Sequence, residues 1–128
     1  MADKQLQSTL AAAAFQKQWF GDLRRRVFDE RRPYALIQAD VPFELFDLLE
    51  IPAVSNQWWS ALVAAKRQAP AFLAAMAADG IAEQLCRYCS LGLATTRYAN
   101  AGEAPWGGLP APRLLCARLT CDCMSMLP

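Results

Sequence analysis

Three short apolar runs, at residues 34–39, 51–54 and 113–119, alternate with stretches of helical period, and this rhythm restricts the fold more than any other feature of the chain. A run such as Tyr34-Ala35-Leu36-Ile37-Gln38-Ala39 lacks the polar alternation of a half-exposed strand, so it reads as a strand covered on both faces. Covered strands joined through helices pair in parallel, because each crossover needs a helix-length connection. The expected fold is therefore α/β: an N-terminal helix, then an incomplete open parallel sheet with flanking helices, a Rossmann-like part-domain. Sites in such sheets gather at the carboxyl ends of strands, here residues 55–59 and the region of Cys121. With 128 residues and 55% hydrophobic content, the chain has material for one core of modest size.

The segments between the runs carry helix signals. Leu6, Leu10, Ala13, Phe20, Leu23 and Val27 fall on one stripe, which predicts a helix over the first thirty residues, weakened in its middle by Gly21. Arg24, Arg25, Arg26, Arg31 and Arg32 interleave with Asp22, Asp29 and Glu30, as on a solvated face carrying i,i+4 pairs. Pro33 closes this segment, so residues 1–33 form one unit and residues 34–128 the α/β domain. Pro42 suits a first helical turn, Asp40 and Glu44 complement the helix dipole, and Phe43, Phe46, Leu48 and Leu49 supply an apolar face. Ser55 or Asn56 is placed to cap a helix from Trp58, which Pro70 interrupts and Gly80 ends; residues 81–85 add a short turn or strand. Residues 99–112 have the Gly, Pro and small-residue content of a loop, with Gly107-Gly108 as a turn.

Charge and composition exclude several classes. Thirteen basic against twelve acidic residues give a net charge of +1, so bulk electrostatics favours neither nucleic acid nor an anionic membrane. The longest apolar stretch, residues 69–78, is too short to span a bilayer, and residues 10–15 are too short for a signal-peptide core. The cytoplasm is the expected compartment. No histidine is present, which removes the usual triad base and the usual zinc imidazole.

Five cysteines remain as the chemistry-bearing set. An odd number does not close a disulfide framework, and cytoplasmic thiols stay reduced. Cys86-Arg87-Tyr88-Cys89 and Cys121-Asp122-Cys123, both expected in loops, together make a four-thiolate set suited to zinc or to an iron–sulfur cluster, with plain burial as small hydrophobes the alternative. A redox dithiol at Cys86 and Cys89 is the weaker reading, since the flanking residues are not those of a thioredoxin-type helix start. Cys116 lies within the third apolar run and reads as a small buried hydrophobe, so Cys116→Ser is expected to be harmless. Trp58 and Trp59 differ by about 100° on a helix and do not address one core spot; simple packing of the second ring against a neighbouring helix is the first reading, with a rim, a subunit interface or a substrate-pocket wall as the others.

Pro42-Phe43-Glu44, Leu49-Glu50-Ile51-Pro52-Ala53-Val54, helices closing at Gly80, Leu85-Cys86-Arg87-Tyr88 with Gly92 beyond, and Cys121-Asp122 occur in that order. From Tyr34 to Met124 this series resembles the 2-hydroxyacyl-CoA dehydratase and benzoyl-CoA reductase family, in particular the D-component type of 2-hydroxyglutaryl-CoA dehydratase. The resemblance implies a 4Fe-4S cluster held by three cysteines, on each of two related subunits, with one iron open. It implies a separate ATP-dependent iron–sulfur activator that delivers one electron, and an acyl-CoA substrate that becomes a ketyl radical. By position Cys86 corresponds to the first iron ligand and Cys121 to the second, with Cys89 and Cys123 in reserve; Trp58 or Trp59 would shape the acyl pocket. The partners implied are the related second subunit of a heterodimer and the activator, with no nucleic acid and no membrane. The family's third cysteine lies downstream of Pro128, so the chain is expected to be a truncated copy or fragment, inactive alone, with an open sheet edge at residues 113–119. The alternative from another class is a noncatalytic zinc-thiolate scaffold using Cys86, Cys89, Cys121 and Cys123.

Overall fold

The computed structural model of the protein describes residues 6–81, 85–98 and 104–118. The chain divides into two compact units, Met1–Arg32 and Pro33–Pro128. In the first, helix α1 (Gln7–Arg24) runs through Gly21 without a break and continues into a π-helical turn, Arg25–Asp29. The expected apolar stripe is buried only at its end: Leu23 and Val27 are covered, whereas Leu6 and Leu10 are exposed. Arg25 pairs with Asp22 at i,i+3 (3.4 Å) and with Glu30 at i,i+5, because the wider π turn brings residues five apart onto one side. These pairs are exposed, and each contributes no more than about 0.5 kcal/mol.

The second unit is built on a parallel three-stranded sheet of order β2-β1-β3, with β1 at Ala35–Ile37, β2 at Ala53–Ser55 and β3 at Leu114–Cys116. Ala35 is opposite Ala53 and Leu114, and Ile37 opposite Ser55 and Cys116. The protein is thus a mixed helix and sheet fold, an N-terminal helix followed by an open parallel sheet flanked by helices. β1 and β2 are buried at every position, while Leu114 and Leu115 of β3 are 47% and 44% exposed. β2 starts two residues later than its apolar run. Pro52 has no N–H to offer the ladder, and the Ile51 N–H is already bonded to Phe46 O at 2.9 Å.

Helix α2 (Phe43–Leu48) has Pro42 at its N-cap position, one residue outside the expected first turn. Its six residues give one inward stripe, on which Phe43 and Phe46 pack with Ala35, Ile37 and Ala53. Leu48 and Leu49, expected on that face, are exposed instead, because the helix ends at Glu50 with a positive φ of 54° before a second inward turn forms. Helix α3 (Asn56–Ala65) starts two residues before Trp58, with the Ser55 hydroxyl accepting from the Trp58 N–H at 3.4 Å. A separate helix α4 (Ala69–Ala78) follows, carrying Pro70 in its first turn and ending at Gly80 (φ 77°). Helix α5 (Arg87–Arg97) was not expected as a helix at all. No helix among the described residues is long and apolar enough to cross a membrane.

Helix α5 lies close against α3 because Gly92 has no side chain. A Cβ there would stand 1.8 Å from Asn56 Oδ1 and 2.9 Å from the Asn56 carbonyl oxygen. The close approach lets polar groups pair across the interface. Asn56 Nδ2 donates to Cys89 O (2.6 Å), Trp59 Nε1 to Thr95 Oγ1 (2.7 Å), and the Thr95 hydroxyl to Gly92 O (2.9 Å).

Candidate functional site

Cys86 is the N-cap residue of α5, just outside the helix as its loop placement expected, whereas Cys89 lies in the first turn, so the loop placement is corrected for Cys89. The two thiols have opposite surroundings: Cys86 is exposed and Cys89 is 5% exposed. The Cys86 carbonyl accepts from the N–H groups of Cys89 (3.0 Å) and Ser90 (3.1 Å) and from the Ser90 hydroxyl (3.2 Å), which pins the turn. The Cys89 carbonyl is held in turn by Asn56 of α3.

The Cys86 thiol is pushed below the ordinary thiol range. The backbone N–H of Cys89 is the largest cause; burial opposes it, and the Tyr88 N–H and the Cys89 thiol add smaller lowering effects. The N–H groups of a helix start act on the sulfur as partial positive charge, and that favours the thiolate. A thiolate that is also exposed is both a nucleophile and a soft metal ligand.

A cleft of about 150 Å³ opens beside this turn, walled by Leu73, Met76 and Ala77 of α4 and by Leu85, Arg87 and Ser90 around Cys86. It is smaller than the roughly 300–1,000 Å³ of ordinary ligand pockets. It therefore takes a few carbon atoms, not a whole cofactor-sized molecule.

Trp59 is fully buried, with its indole N–H on Thr95, whereas Trp58 is half-buried. Both rings meet a third, Trp106, with centroids 5.3 Å from Trp59 and 5.9 Å from Trp58. The 100° separation of the two neighbours is thus closed by an indole from elsewhere in the chain. Trp106 sits in a 3-10 turn, Pro105–Gly107, at φ 59°, followed by Gly107 and Gly108 at φ 82° and 91°. The turn at Gly107-Gly108 was legible; the part played by its tryptophan was not. An isolated Trp amid Gly and Pro, too large to leave in solvent without cause, was the available signal.

Cys116 lies on β3, half-buried against the cluster of Ala35, Ile37, Phe46 and Ala53. The carboxyl ends of β1 and β3 are tied together beyond it: the Arg118 N–H donates to Gln38 Oε1 (3.2 Å) and the Arg118 guanidinium pairs with Asp40 (3.1 Å). Gln57 joins this edge by accepting from the Ala39 N–H at 2.9 Å. Cys121 and Cys123 lie outside the described residues. Among the described residues no group of three or more Cys, His, Asp or Glu gathers as a metal site.

Comparison of the chain with protein-family models, with curated proteins and with solved structures returns no match.

Proposed function

We propose that the chain belongs to a subunit of an iron–sulfur 2-hydroxyacyl-CoA dehydratase or benzoyl-CoA reductase, with Cys86 as an iron ligand. The observation that carries this reading is the exposed Cys86 thiol at the start of α5, favoured as a thiolate and set beside a small cleft of mixed apolar and polar lining. The donor chemistry fits a 4Fe-4S cluster in kind, since thiolates are its ligands. The described residues contribute this one thiolate, and Cys121 is the second donor proposed, with Cys89 and Cys123 in reserve.

When bound, the cluster supplies the single low-potential electron that converts an acyl-CoA thioester to a ketyl radical. The work of this chain's own residues is binding and exclusion. Cys86 holds iron at the helix start, where the N–H groups of the first turn stabilise negative charge on sulfur. Leu73, Met76 and Leu85 give an apolar surface that keeps water from the acyl end, and the half-buried Trp58, which does not line that cleft, is proposed as a separate aromatic contact for the acyl group. Trp59, fully buried, supports that ring from behind. A related second subunit and an ATP-dependent iron–sulfur activator complete the proposed assembly, in the cytoplasm.

The test is metal and sulfide analysis of the chain purified without oxygen. Iron and acid-labile sulfide in equal amounts, lost in Cys86→Ala and kept in Cys116→Ser, are the expected result. Zinc without sulfide would replace this reading by a zinc-thiolate scaffold. Absence of both metals, or iron that survives Cys86→Ala, would refute the assignment of Cys86.

A further inference from the structure

We propose that Cys86 and Cys89 form a thiol–disulfide exchange site, in which the exposed Cys86 attacks an incoming disulfide and the buried Cys89 resolves the product. This goes beyond the iron–sulfur reading and needs no metal. The cysteines hold the N-cap and third positions of an eleven-residue helix. The hydrogen bond from the Cys89 N–H to the Cys86 carbonyl fixes the turn between them. A helical separation of three residues puts their Cα atoms about 5 Å apart. That is inside the range of about 4.4–6.8 Å in which a disulfide closes without moving the backbone.

Burial assigns the order of events. Cys86 is open to a bulky reagent, while Cys89, 5% exposed and with its carbonyl anchored by Asn56, is reached by a sulfur already attached to Cys86. Tyr88, between them, is 52% exposed, so the outer side of the turn is open to the reagent. The partner is a dialkyl disulfide of the glutathione class. The Cys86 thiolate attacks one of its sulfurs, forming a mixed disulfide and releasing one thiolate. Cys89 then loses its proton to solvent and attacks the Cys86 sulfur, forming the Cys86–Cys89 bond and releasing the second thiolate. Two cysteines are oxidised by two electrons and the dialkyl disulfide is reduced to two thiols. Where Cys86 also holds iron, the same bond withdraws it from the metal.

The full chain, stripped of metal by a chelator, is incubated with oxidised glutathione, quenched with acid and digested with trypsin. Cleavage after Arg67, Arg87 and Arg97 separates the two cysteines, so their bond joins peptides 68–87 and 88–97. That cross-linked pair is the expected product. In Cys89→Ser the mixed disulfide has no resolving thiol, and glutathione bound at Cys86 is expected to exceed the wild-type level by about tenfold or more. In Cys86→Ser neither the cross-link nor glutathione on Cys89 is expected. Glutathione that persists on Cys86 of the wild type, initial modification at Cys89, or bonding of Cys86 to Cys121 or Cys123 would each overturn the proposal. The wild-type map needs no substitution, so it decides the matter even where a variant does not fold. Because the chain is metal-free, failure of the iron–sulfur reading leaves this result unchanged.

Discussion

Replacing Gly92 by Ala sets two effects against each other. In an exposed helix the change would gain about 1 kcal/mol, since Ala is the better helix former. At Gly92 the new methyl would stand 1.8 Å from Asn56 Oδ1 and 2.9 Å from the Asn56 backbone oxygen. The side chain can rotate away only by giving up its 2.6 Å bond to Cys89 O inside a buried interface, and the backbone oxygen can move only with α3 itself. Overpacking costs about 1–3 kcal/mol, and the buried Asn56 amide left without its acceptor about 1–3 kcal/mol more. The net expectation is a loss of about 1–5 kcal/mol after the helix-propensity gain. Urea unfolding followed by tryptophan fluorescence reads this through Trp59, which is fully buried at the same interface. In the Asn56→Ala background the nearest obstacle is gone, and Gly92→Ala should cost at least about 1 kcal/mol less than in the wild type. A neutral or stabilising Gly92→Ala in the wild-type background would refute the close approach of α3 and α5.

Four further outcomes are expected. Thr95→Val, nearly isosteric, leaves the buried Trp59 indole N–H without its acceptor and should cost about 1–3 kcal/mol in the same unfolding assay. Alkylation of Cys86 by iodoacetamide, located by peptide mapping, should follow a pH profile whose midpoint lies below the ordinary thiol value, about 8.5, and returns toward it in denaturant. The sign follows from the lowered thiol: the thiolate persists to lower pH when folded, so labelling slows only as pH falls through the folded value. Cys116→Ser should leave metal content unchanged, because this thiol packs on the sheet core; a fall in metal would place a ligand on β3. Tyr34→Phe removes a donor to Pro110 O (2.6 Å) and should cost about 1 kcal/mol, measured by thermal unfolding.

The parallel sheet was legible because its strands are continuous apolar runs, and the caps at Ser55 and Gly80 were legible because their chemistry is local. Helix α5 was not, for a physical reason. Ser90, Gly92, Thr95 and Thr96 all lower helix propensity, yet Gly92 and Thr95 are the residues that let α5 approach and bond to α3. Tertiary contact outweighs propensity there, although the segment does have a helical apolar period. The same error placed Cys89 in a loop, and with the helix start unseen the dithiol reading looked weaker than the geometry makes it. At α2 the pattern overstated burial: Leu48 and Leu49 fit the period, but the helix stops before it can turn them inward. At Trp58 and Trp59 the spacing argument treated two neighbours alone and missed the third ring that brings them together.

The strand order has a consequence for synthesis on the ribosome. β1 pairs with β2 after a short helix, but its other edge waits for β3, and the bond from Arg118 back to Gln38 spans 80 residues. At roughly 5–20 residues per second, that delay is about 4 to 16 s. During that interval the innermost strand has one row of backbone donors and acceptors still open, a template for any other nascent chain. The rate at which this protein is translated through residues 38–118 thus bears directly on how much of it escapes association before the sheet is finished.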